Sequence, residues 1–210
     1  MKPDCALIVF AKAPVAGYAK TRLAGVLGAQ GAAQLAERLL QLTLEHAVRS
    51  DIGPVELCCT PDATHTAFQR MAALHAIALT LQGDGDLGAR MHRALQRALG
   101  TCRRAVLIGT DAPGIDALYL RQARKLLAEH DAVFGPALDG GYTLVGLSRS
   151  ARPLFEGVAW STAAVMRETR ERIAALGLRH AELPPLADVD EPADLIHVPR
   201  QWLQPSTTPP

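Results

Sequence analysis

The chain has 210 residues, of which 49% are hydrophobic and 4% aromatic, and its formal net charge at pH 7 is +1. A chain of this length suits one domain, which buries enough surface to fold without disulfide bonds or a structural metal. The near-neutral charge argues against a disordered protein and against a general nucleic-acid-binding surface. The scarcity of aromatic residues disfavours a stacking platform for single-stranded nucleic acid.

The cysteines and the N-terminal segment predict a cytoplasmic protein. No C-x-x-C spacing or paired Cys/His set indicates a zinc site, so the thiols are expected to be buried as small hydrophobic groups. The apolar stretch 6–10 is too short for a signal peptide, and no stretch approaches the roughly 20 apolar residues of a membrane span. We therefore expect neither a membrane nor a nucleic acid as a partner. The cysteines concerned are Cys5, Cys58, Cys59 and Cys102.

Short apolar runs alternate with stretches of helical periodicity, which is the pattern of a mostly parallel sheet covered by helices on both faces. The clearest strands are predicted at Ala6–Phe10, Val55–Cys59, Ala105–Gly109, Ala132–Gly135 and Tyr142–Leu147, with weaker ones at Ile77–Leu81 and Arg179–Leu183. Helices are predicted at Ala32–Val48, Ala63–Ala73, Leu87–Leu99, Leu118–Glu129 and Ala163–Leu176. We expect one domain over residues 1–203, followed by a disordered, proline-rich tail at 204–210.

The loop after the first predicted strand contains a glycine and three cations, Lys12, Lys20 and Arg22. Both glycine positions of a Walker A loop hold other residues, so the loop is not that of a P-loop NTPase. Gly17 gives the backbone freedom, Arg22 can bind two phosphate oxygens at once, and Lys20 can act as a mobile point charge. The pattern therefore predicts a phosphate-binding loop; the alternative is a solvated basic loop.

Asp111 follows the apolar run 105–109 directly, with Pro113 two residues later. At the carboxyl end of a buried strand its carboxylate is well placed for a ligand, and Mg²⁺ or Mn²⁺ binds to few protein oxygens together with substrate phosphates. The alternative for Asp111 is a turn or a helix cap. Asp86 and Asp116 are better explained as caps of the helices that follow them.

Two further acidic segments are candidates for the same site. Asp139 precedes Gly140 and Gly141, whose amides would let a substrate approach closely, although Asp-Gly-Gly is also a common tight turn. Asp188 and Asp190 alternate along an extended segment, so both would lie on one face and could complete a metal site. Asp190 is alternatively the N-cap of the short helix that follows.

Five short motifs in a fixed order are more specific together than any one of them. They are Phe10-x-Lys12-x-Pro14-x-x-Gly17-x-x-Lys20-Thr21-Arg22-Leu23, Gly109-Thr110-Asp111-x-Pro113, Gly135-Pro136-x-x-Asp139-Gly140-Gly141-Tyr142, Trp160-Ser161-Thr162 and Asp188-Val189-Asp190. Between about Ala6 and Leu195 the chain thereby resembles a bacterial family of glycosyltransferase-like proteins in the nucleotide-diphospho-sugar transferase superfamily. Some members of that family are assigned to arsenosugar biosynthesis.

This resemblance implies a GT-A fold, a Rossmann-like single α/β domain whose mixed, mostly parallel sheet binds the nucleotide. It also implies that an acidic motif, matched here by Asp111, holds the metal. The loop after the first strand is similar to that of phospholactate guanylyltransferases as well. The Gly-Gly pair of molybdenum-cofactor guanylyltransferase-like proteins, however, is missing from that loop.

The predicted function is metal-dependent glycosyl transfer from a nucleotide-diphosphate sugar, with nucleotidyl transfer that releases pyrophosphate as the alternative. A nucleotide-binding protein without catalysis is a third class. We expect Mg²⁺ or Mn²⁺ on Asp111 and Asp190, and catalytic roles for Asp111 and Asp139. The predicted nucleotide- and phosphate-binding residues are Lys12, Gly17, Lys20, Arg22, Gly140 and Gly141. The base, the sugar, the acceptor and the oligomeric state stay open.

Overall fold

A single sheet forms the centre of the molecule in the computed structural model, which describes residues 2–203. Within these residues the strands are β1 (Cys5–Lys12), β2 (Val55–Thr60), β3 (Ala78–Leu81), β4 (Arg104–Ile108), β5 (Ala132–Pro136), β6 (Tyr142–Leu147) and β7 (His180–Glu182). The helices are α1 (Ala24–Ser50), α2 (Thr66–His75), α3 (Leu87–Thr101), α4 (Ala117–Leu126) and α5 (Val165–Ala175). Short 3-10 turns lie at Thr21–Leu23, Arg152–Leu154, Pro192–His197 and Arg200–Trp202.

The spatial order of the strands is β3-β2-β1-β4-β6-β5-β7. Only β6 runs against its neighbours, β4 and β5, while the other described pairs are parallel. The predicted single-domain α/β fold with a mixed, mostly parallel sheet is therefore confirmed, and a strand forms at every predicted position. The predicted disordered tail, 204–210, lies outside the described residues.

Side chains of the central strands alternate between two cores because successive residues of a strand point to opposite faces. Leu7 and Val9 of β1 join the core covered by α1, α2 and α4, whereas Ile8 joins the core covered by α3 and α5. The neighbours Cys58 and Cys59 separate in the same way. Each fully buried aliphatic side chain contributes about 1.5–3 kcal/mol, so both faces stabilise the sheet.

The thiols agree with the sequence-based expectation. All four cysteines are buried and carry free thiols, as small hydrophobic residues do. Among the described residues no helix combines the length and the apolar character that crossing a membrane would require.

Two helix starts differ from the prediction by three residues or more, each for a local reason. The first helical segment already begins at Ala24, but Gly28 breaks its geometry with a φ of 70°, so the regular helix starts after that glycine. The second helix begins at Thr66 rather than three residues earlier, because the His65 side chain accepts a hydrogen bond from the Ala67 amide. The predicted caps are confirmed: Asp86 accepts from the Ala89 amide and Asp116 from the Tyr119 amide, both at 2.8 Å.

The topology brings several loops to one edge of the sheet. The parallel strands β1, β2 and β4 end at this edge, and β6 begins there because it runs in the opposite direction. The Gly109 amide after β4 donates to the Thr143 carbonyl of β6 at 3.2 Å. Residues that follow β1, β2 and β4 therefore share this edge with the first residues of β6, as expected for a ligand site in an open α/β sheet.

Candidate active site

Lys20 joins the loop after β1 to two acidic segments. Its ammonium donates to Asp111 Oδ1, to Asp190 Oδ1 at 2.8 Å and to the Val189 carbonyl at 2.7 Å. Its side chain is only 6% exposed, whereas the carboxylates of Asp111 and Asp190 are 47% and 44% exposed. A lysine ammonium has three N–H donors, so Lys20 uses all of them in these contacts.

Further hydrogen bonds hold the backbone around this contact. Lys20 has a left-handed conformation with a φ of 49°, which aims its side chain back towards the sheet edge. The Val189 amide donates to the Asp111 carbonyl at 2.9 Å and so fixes the later acidic segment to the loop after β4. The Asp194 carboxylate accepts from the amides of Asp190 and Glu191 at 3.0 and 2.7 Å. Asp190 is consequently fixed by its backbone, and its side chain is available to Lys20.

The electrostatics of the contact favour a charged lysine. Burial by itself lowers the pKa of Lys20, but the nearby carboxylates of Asp111 and Asp190 outweigh burial, and the pKa is raised overall. Lys20 thus remains an ammonium at neutral pH. Its hydrogen bonds hold the two acidic side chains in place.

Two adjoining cavities meet at this group of charges. The first has a volume of about 460 Å³ and lies over the ends of β1, β2 and β4; the second has a volume of about 290 Å³ and lies beside the loop after β5 and the start of α5. Both are of the size usual for small-molecule sites, the second at the lower limit. Asp111, Asp190 and Arg22 line both cavities and therefore form the boundary between them.

Cations line the first cavity. Besides Arg22, it contains Lys12, Lys20 and Arg90, and the Lys12 ammonium lies 4.0 Å from the centre of the Tyr18 ring. Such a set suits an anionic ligand, since lysine and arginine are the usual partners of phosphate oxygens.

The residues at the boundary fit a divalent cation. Lys20 uses one oxygen of Asp111 and one of Asp190, and a carboxylate has two. Magnesium-like ions commonly take one or two protein carboxylates and complete their shell with water and substrate phosphates. The described residues contain no group of three or more His, Cys, Asp or Glu side chains arranged around a metal position. The arrangement therefore suits a metal that arrives with a phosphorylated ligand better than a permanently bound ion.

The second cavity has an acidic wall. Asp139 and Asp188 line it, and they approach each other because the Leu138 amide donates to the Leu186 carbonyl at 3.0 Å. Burial, together with the neighbouring charge of Asp139, raises the pKa of Asp188 to about 6. Asp139 therefore lies in the second cavity, and it is not among the residues that line the first.

Of the three glycines that were predicted to bind nucleotide or phosphate, Gly141 lines the second cavity, whereas Gly17 and Gly140 line neither cavity. Gly17 and Gly140 adopt φ angles of 77° and 93°. The Gly140 amide donates to the Ala137 carbonyl at 3.2 Å, and the Gly141 amide donates to Asp139 Oδ1 at 2.8 Å. Both amides therefore have partners within the turn, and a contact of these glycines with phosphate stays a prediction.

Sequence reasoning missed several residues of the site. Arg90 reaches the first cavity from α3, and only the Asp86 cap before that helix indicates that its first turn faces the sheet edge. The buried Gln82 donates to the carbonyls of Ala11 and Cys58 at 3.3 and 3.1 Å, and so joins the ends of two strands under the cavity. Trp160 lies in a recognised motif, but its place in the second cavity depends on tertiary packing.

The sequence between residues 43 and 162 matches a family described as "Uncharacterized protein conserved in bacteria (DUF2064)". That match spans more than half of the chain. The chain belongs to the DUF2064 family. A search of curated proteins found no match to this chain.

Solved structures place this DUF2064 protein in the nucleotide-diphospho-sugar transferase fold. A protein of Desulfovibrio desulfuricans G20, provisionally assigned as a nucleotide-diphospho-sugar transferase, is 30% identical in sequence with a TM-score of 0.86. The alignment covers 99% of this chain and 90% of that one. The predicted resemblance to this superfamily is thereby confirmed.

More distant structures share the fold alone. The 4-diphosphocytidyl-2C-methyl-D-erythritol synthase of Anaerococcus prevotii DSM 20548 is 8% identical, with a TM-score of 0.64 over 96% of this chain and 99% of that one. Rv0371c of Mycobacterium tuberculosis H37Rv, in a structure with manganese, is 17% identical, with a TM-score of 0.60 over 93% and 97% of the two chains. Transferases of both the sugar and the nucleotidyl type thus occur among the structural neighbours.

Proposed function

We propose that this DUF2064 protein is a metal-dependent glycosyltransferase that uses a nucleotide-diphosphate sugar. The observation that carries the proposal is the division of the site into a cationic cavity and an acidic cavity that meet at Asp111 and Asp190. The first would bind the anionic nucleotide diphosphate, and the second the acceptor. The bond that breaks would then lie at the boundary between them.

Each group near this boundary has a defined task in the proposal. Lys12, Arg22 and Arg90 bind the phosphates, while Lys20 keeps the carboxylates of Asp111 and Asp190 together. A Mg²⁺ or Mn²⁺ ion held by those two carboxylates would offset the negative charge of the leaving diphosphate. The manganese complex of Rv0371c, which has the same fold, supports the choice of a divalent ion.

The proposed step is a substitution at the anomeric carbon of the sugar. The acceptor oxygen forms a bond to that carbon while the bond from the carbon to the phosphate oxygen breaks, and the electron pair leaves on the nucleoside diphosphate. The acceptor proton passes to a carboxylate, for which Asp139 is the candidate because it lies on the acceptor side. A cytoplasmic location belongs to the proposal as well, since four free cysteines suit a reducing compartment.

The proposal is tested with the purified protein, a panel of nucleotide sugars and nucleoside triphosphates, and Mn²⁺. A ligand present at one hundred times its Kd adds about 2.7 kcal/mol, or roughly 5–10 °C in Tm for a protein of this size. The best nucleotide sugar is then assayed for release of nucleoside diphosphate, with water as a slow acceptor. We expect Asp111→Asn to abolish both the Mn²⁺-dependent Tm shift and the release.

Asp116→Asn is the matched control, because Asp116 caps α4 within the same loop and asparagine caps helices equally well. Release of pyrophosphate from a triphosphate, only with a phosphorylated co-substrate, would instead establish nucleotidyl transfer. The similarity in fold to the Anaerococcus prevotii synthase favours this alternative. Equal nucleotide binding by wild type and Asp111→Asn would remove Asp111 from the site.

A further inference from the structure

Two polar groups of the second cavity have no hydrogen-bond partner among the described residues. They are the hydroxyl of Tyr142 and the indole N–H of Trp160, and both atoms are buried. Both residues line the second cavity, and Tyr142 also borders the first. A buried donor without a partner destabilises a folded protein, so its retention next to a cavity points to a ligand that supplies the partner.

Contacts with neighbouring groups orient the two aromatic rings. Tyr142 packs edge-on against Phe134 with ring centres 5.2 Å apart, and against Trp160 with centres 6.3 Å apart. Trp160 lies directly on Gly88, where an added Cβ would come within 2.7 Å of the indole ring. The absence of a side chain at Gly88 therefore lets the indole occupy this position.

The acidic part of the cavity presents the complementary chemistry. Asp139 and Asp188 contribute carboxyl oxygens to this wall, which can accept hydrogen bonds from a bound molecule. The one arginine among the residues lining the cavity is Arg22, which stands at the boundary with the first cavity, 3.6 Å from Glu191. Away from that boundary, a bound molecule meets donors on the aromatic side and acceptors on the acidic side.

We propose that the second cavity selects a neutral acceptor rich in hydroxyl groups, such as a sugar or another polyol, and rejects its phosphorylated form. A hydroxyl group can accept a hydrogen bond from Tyr142 or Trp160 and donate one to a carboxylate at the same time. A phosphate would be repelled by Asp139 and Asp188. This inference rests on the proposed function, because it assigns the second cavity to the acceptor.

The experiment measures binding without any nucleotide, by saturation-transfer NMR on the full chain in the presence of Mg²⁺. The probes are glucose, galactose, mannose and N-acetylglucosamine, each paired with its 6-phosphate. We expect at least one neutral sugar to bind about tenfold more tightly than its phosphate. Tyr142→Phe and Trp160→Phe should each weaken that sugar by about tenfold, the loss that corresponds to one hydrogen bond of about 1.4 kcal/mol.

Thermal unfolding of the free protein is a second measurement. It distinguishes a hydroxyl of Tyr142 that serves a ligand from one that stabilises the fold. Tyr142→Phe removes an unpartnered buried hydroxyl, so the Tm of the free protein should rise by about 2–6 °C. Tyr119→Phe is the matched control, because the Tyr119 hydroxyl donates to the Pro184 carbonyl at 3.0 Å and lies outside both cavities. Its removal should lower the Tm and leave sugar binding unchanged.

Three results would overturn the inference: no neutral sugar binds, the phosphates bind as well as the sugars, or Tyr142→Phe lowers the Tm while sugar binding persists. Failure of the proposed function is detected separately, by the assay for nucleoside diphosphate release and its dependence on Asp111. If the protein binds neutral sugars selectively but releases only pyrophosphate, the inference about the second cavity stands and the proposed glycosyl transfer is wrong.

Discussion

Replacement of Lys20 by methionine should change protein stability and metal affinity in opposite directions. Methionine has a similar length and no charge, so the variant removes the ammonium and keeps most of the packing. The wild-type side chain is 6% exposed and donates to two carboxylates and one carbonyl. The variant would leave Asp111 and Asp190 as two like charges close together without the cation between them.

The loss of stability follows from these contacts and from the exposure of the partners. A hydrogen bond to a charged group contributes about 1.5–3 kcal/mol. The two carboxylates are 47% and 44% exposed, so water replaces part of what they lose, and the full cost of breaking a buried ion pair does not apply. We expect a net loss of about 2–4 kcal/mol, which lowers the Tm by roughly 4–12 °C.

Metal affinity should rise, because the ammonium competes with a cation for the same two carboxylates. Two unit charges 4 Å apart interact with about 4 kcal/mol at an effective dielectric constant of about 20. If Lys20→Met relieves about half of the repulsion between the ammonium and the metal ion, the affinity for Mn²⁺ rises by about tenfold to a hundredfold. Nucleoside diphosphate affinity, by contrast, depends mainly on Lys12, Arg22 and Arg90 and should change less.

The assay is calorimetric titration of Mn²⁺ without nucleotide, together with thermal unfolding in EDTA and in Mn²⁺. Lys12→Met is the control, because Lys12 lines the same cavity but lies over the Tyr18 ring. It should leave Mn²⁺ affinity within about twofold of wild type. Weaker Mn²⁺ binding in Lys20→Met would refute the reasoning, since the ammonium would then be needed to organise the metal ligands.

Two further predictions concern the edges of the site. Arg90→Ala should weaken nucleoside diphosphate binding by about tenfold to a hundredfold in calorimetry, through one lost contact to a charged group. The free nucleoside should be affected less, and Arg93→Ala, on the same helix but outside the first cavity, should match wild type. Gly140→Ala should cost about 2–4 kcal/mol in chemical denaturation, because φ is 93° and the new Cβ would lie 2.3 Å from the Ala163 carbonyl oxygen. Gly100→Ala, with nothing within 4 Å of the new Cβ, should instead stabilise the helix by about 0.5–1 kcal/mol.

The strands could be predicted from sequence because their signal is local. A buried strand such as β4 is a continuous apolar run, and its end at Ile108 is marked by the glycine that follows. The place of Asp111 at the end of β4 could therefore be predicted from the sequence, whereas its role in binding stays a prediction. Helix starts were less accurate, since the His65 cap and the break at Gly28 depend on backbone geometry that periodicity does not contain.

The contacts of Lys20 were beyond the reach of the sequence for a different reason. Its carboxylate partners lie 91 and 170 residues away, and they meet Lys20 only because β1 and β4 are neighbours in the sheet. The same holds for Tyr142: the antiparallel direction of β6 brings the start of that strand to the edge where β4 ends. Residue type indicates that these side chains are chemically useful, whereas topology decides which of them meet.

The distribution of charge across the sheet edge bears on the choice between the two reaction types. In the alternative reaction a phosphorylated co-substrate is the nucleophile, so its anion would have to enter beside the α-phosphate of the nucleotide. In this protein the cavity next to the cationic one presents Asp139 and Asp188, and its nearest cation, Arg22, already lies 3.6 Å from Glu191. An anion entering there would meet like charges on one side, while a neutral hydroxyl would meet hydrogen-bond acceptors. The second cavity therefore suits an acceptor of a glycosyl group better than a phosphate nucleophile, and the acidic wall is the feature on which that preference depends.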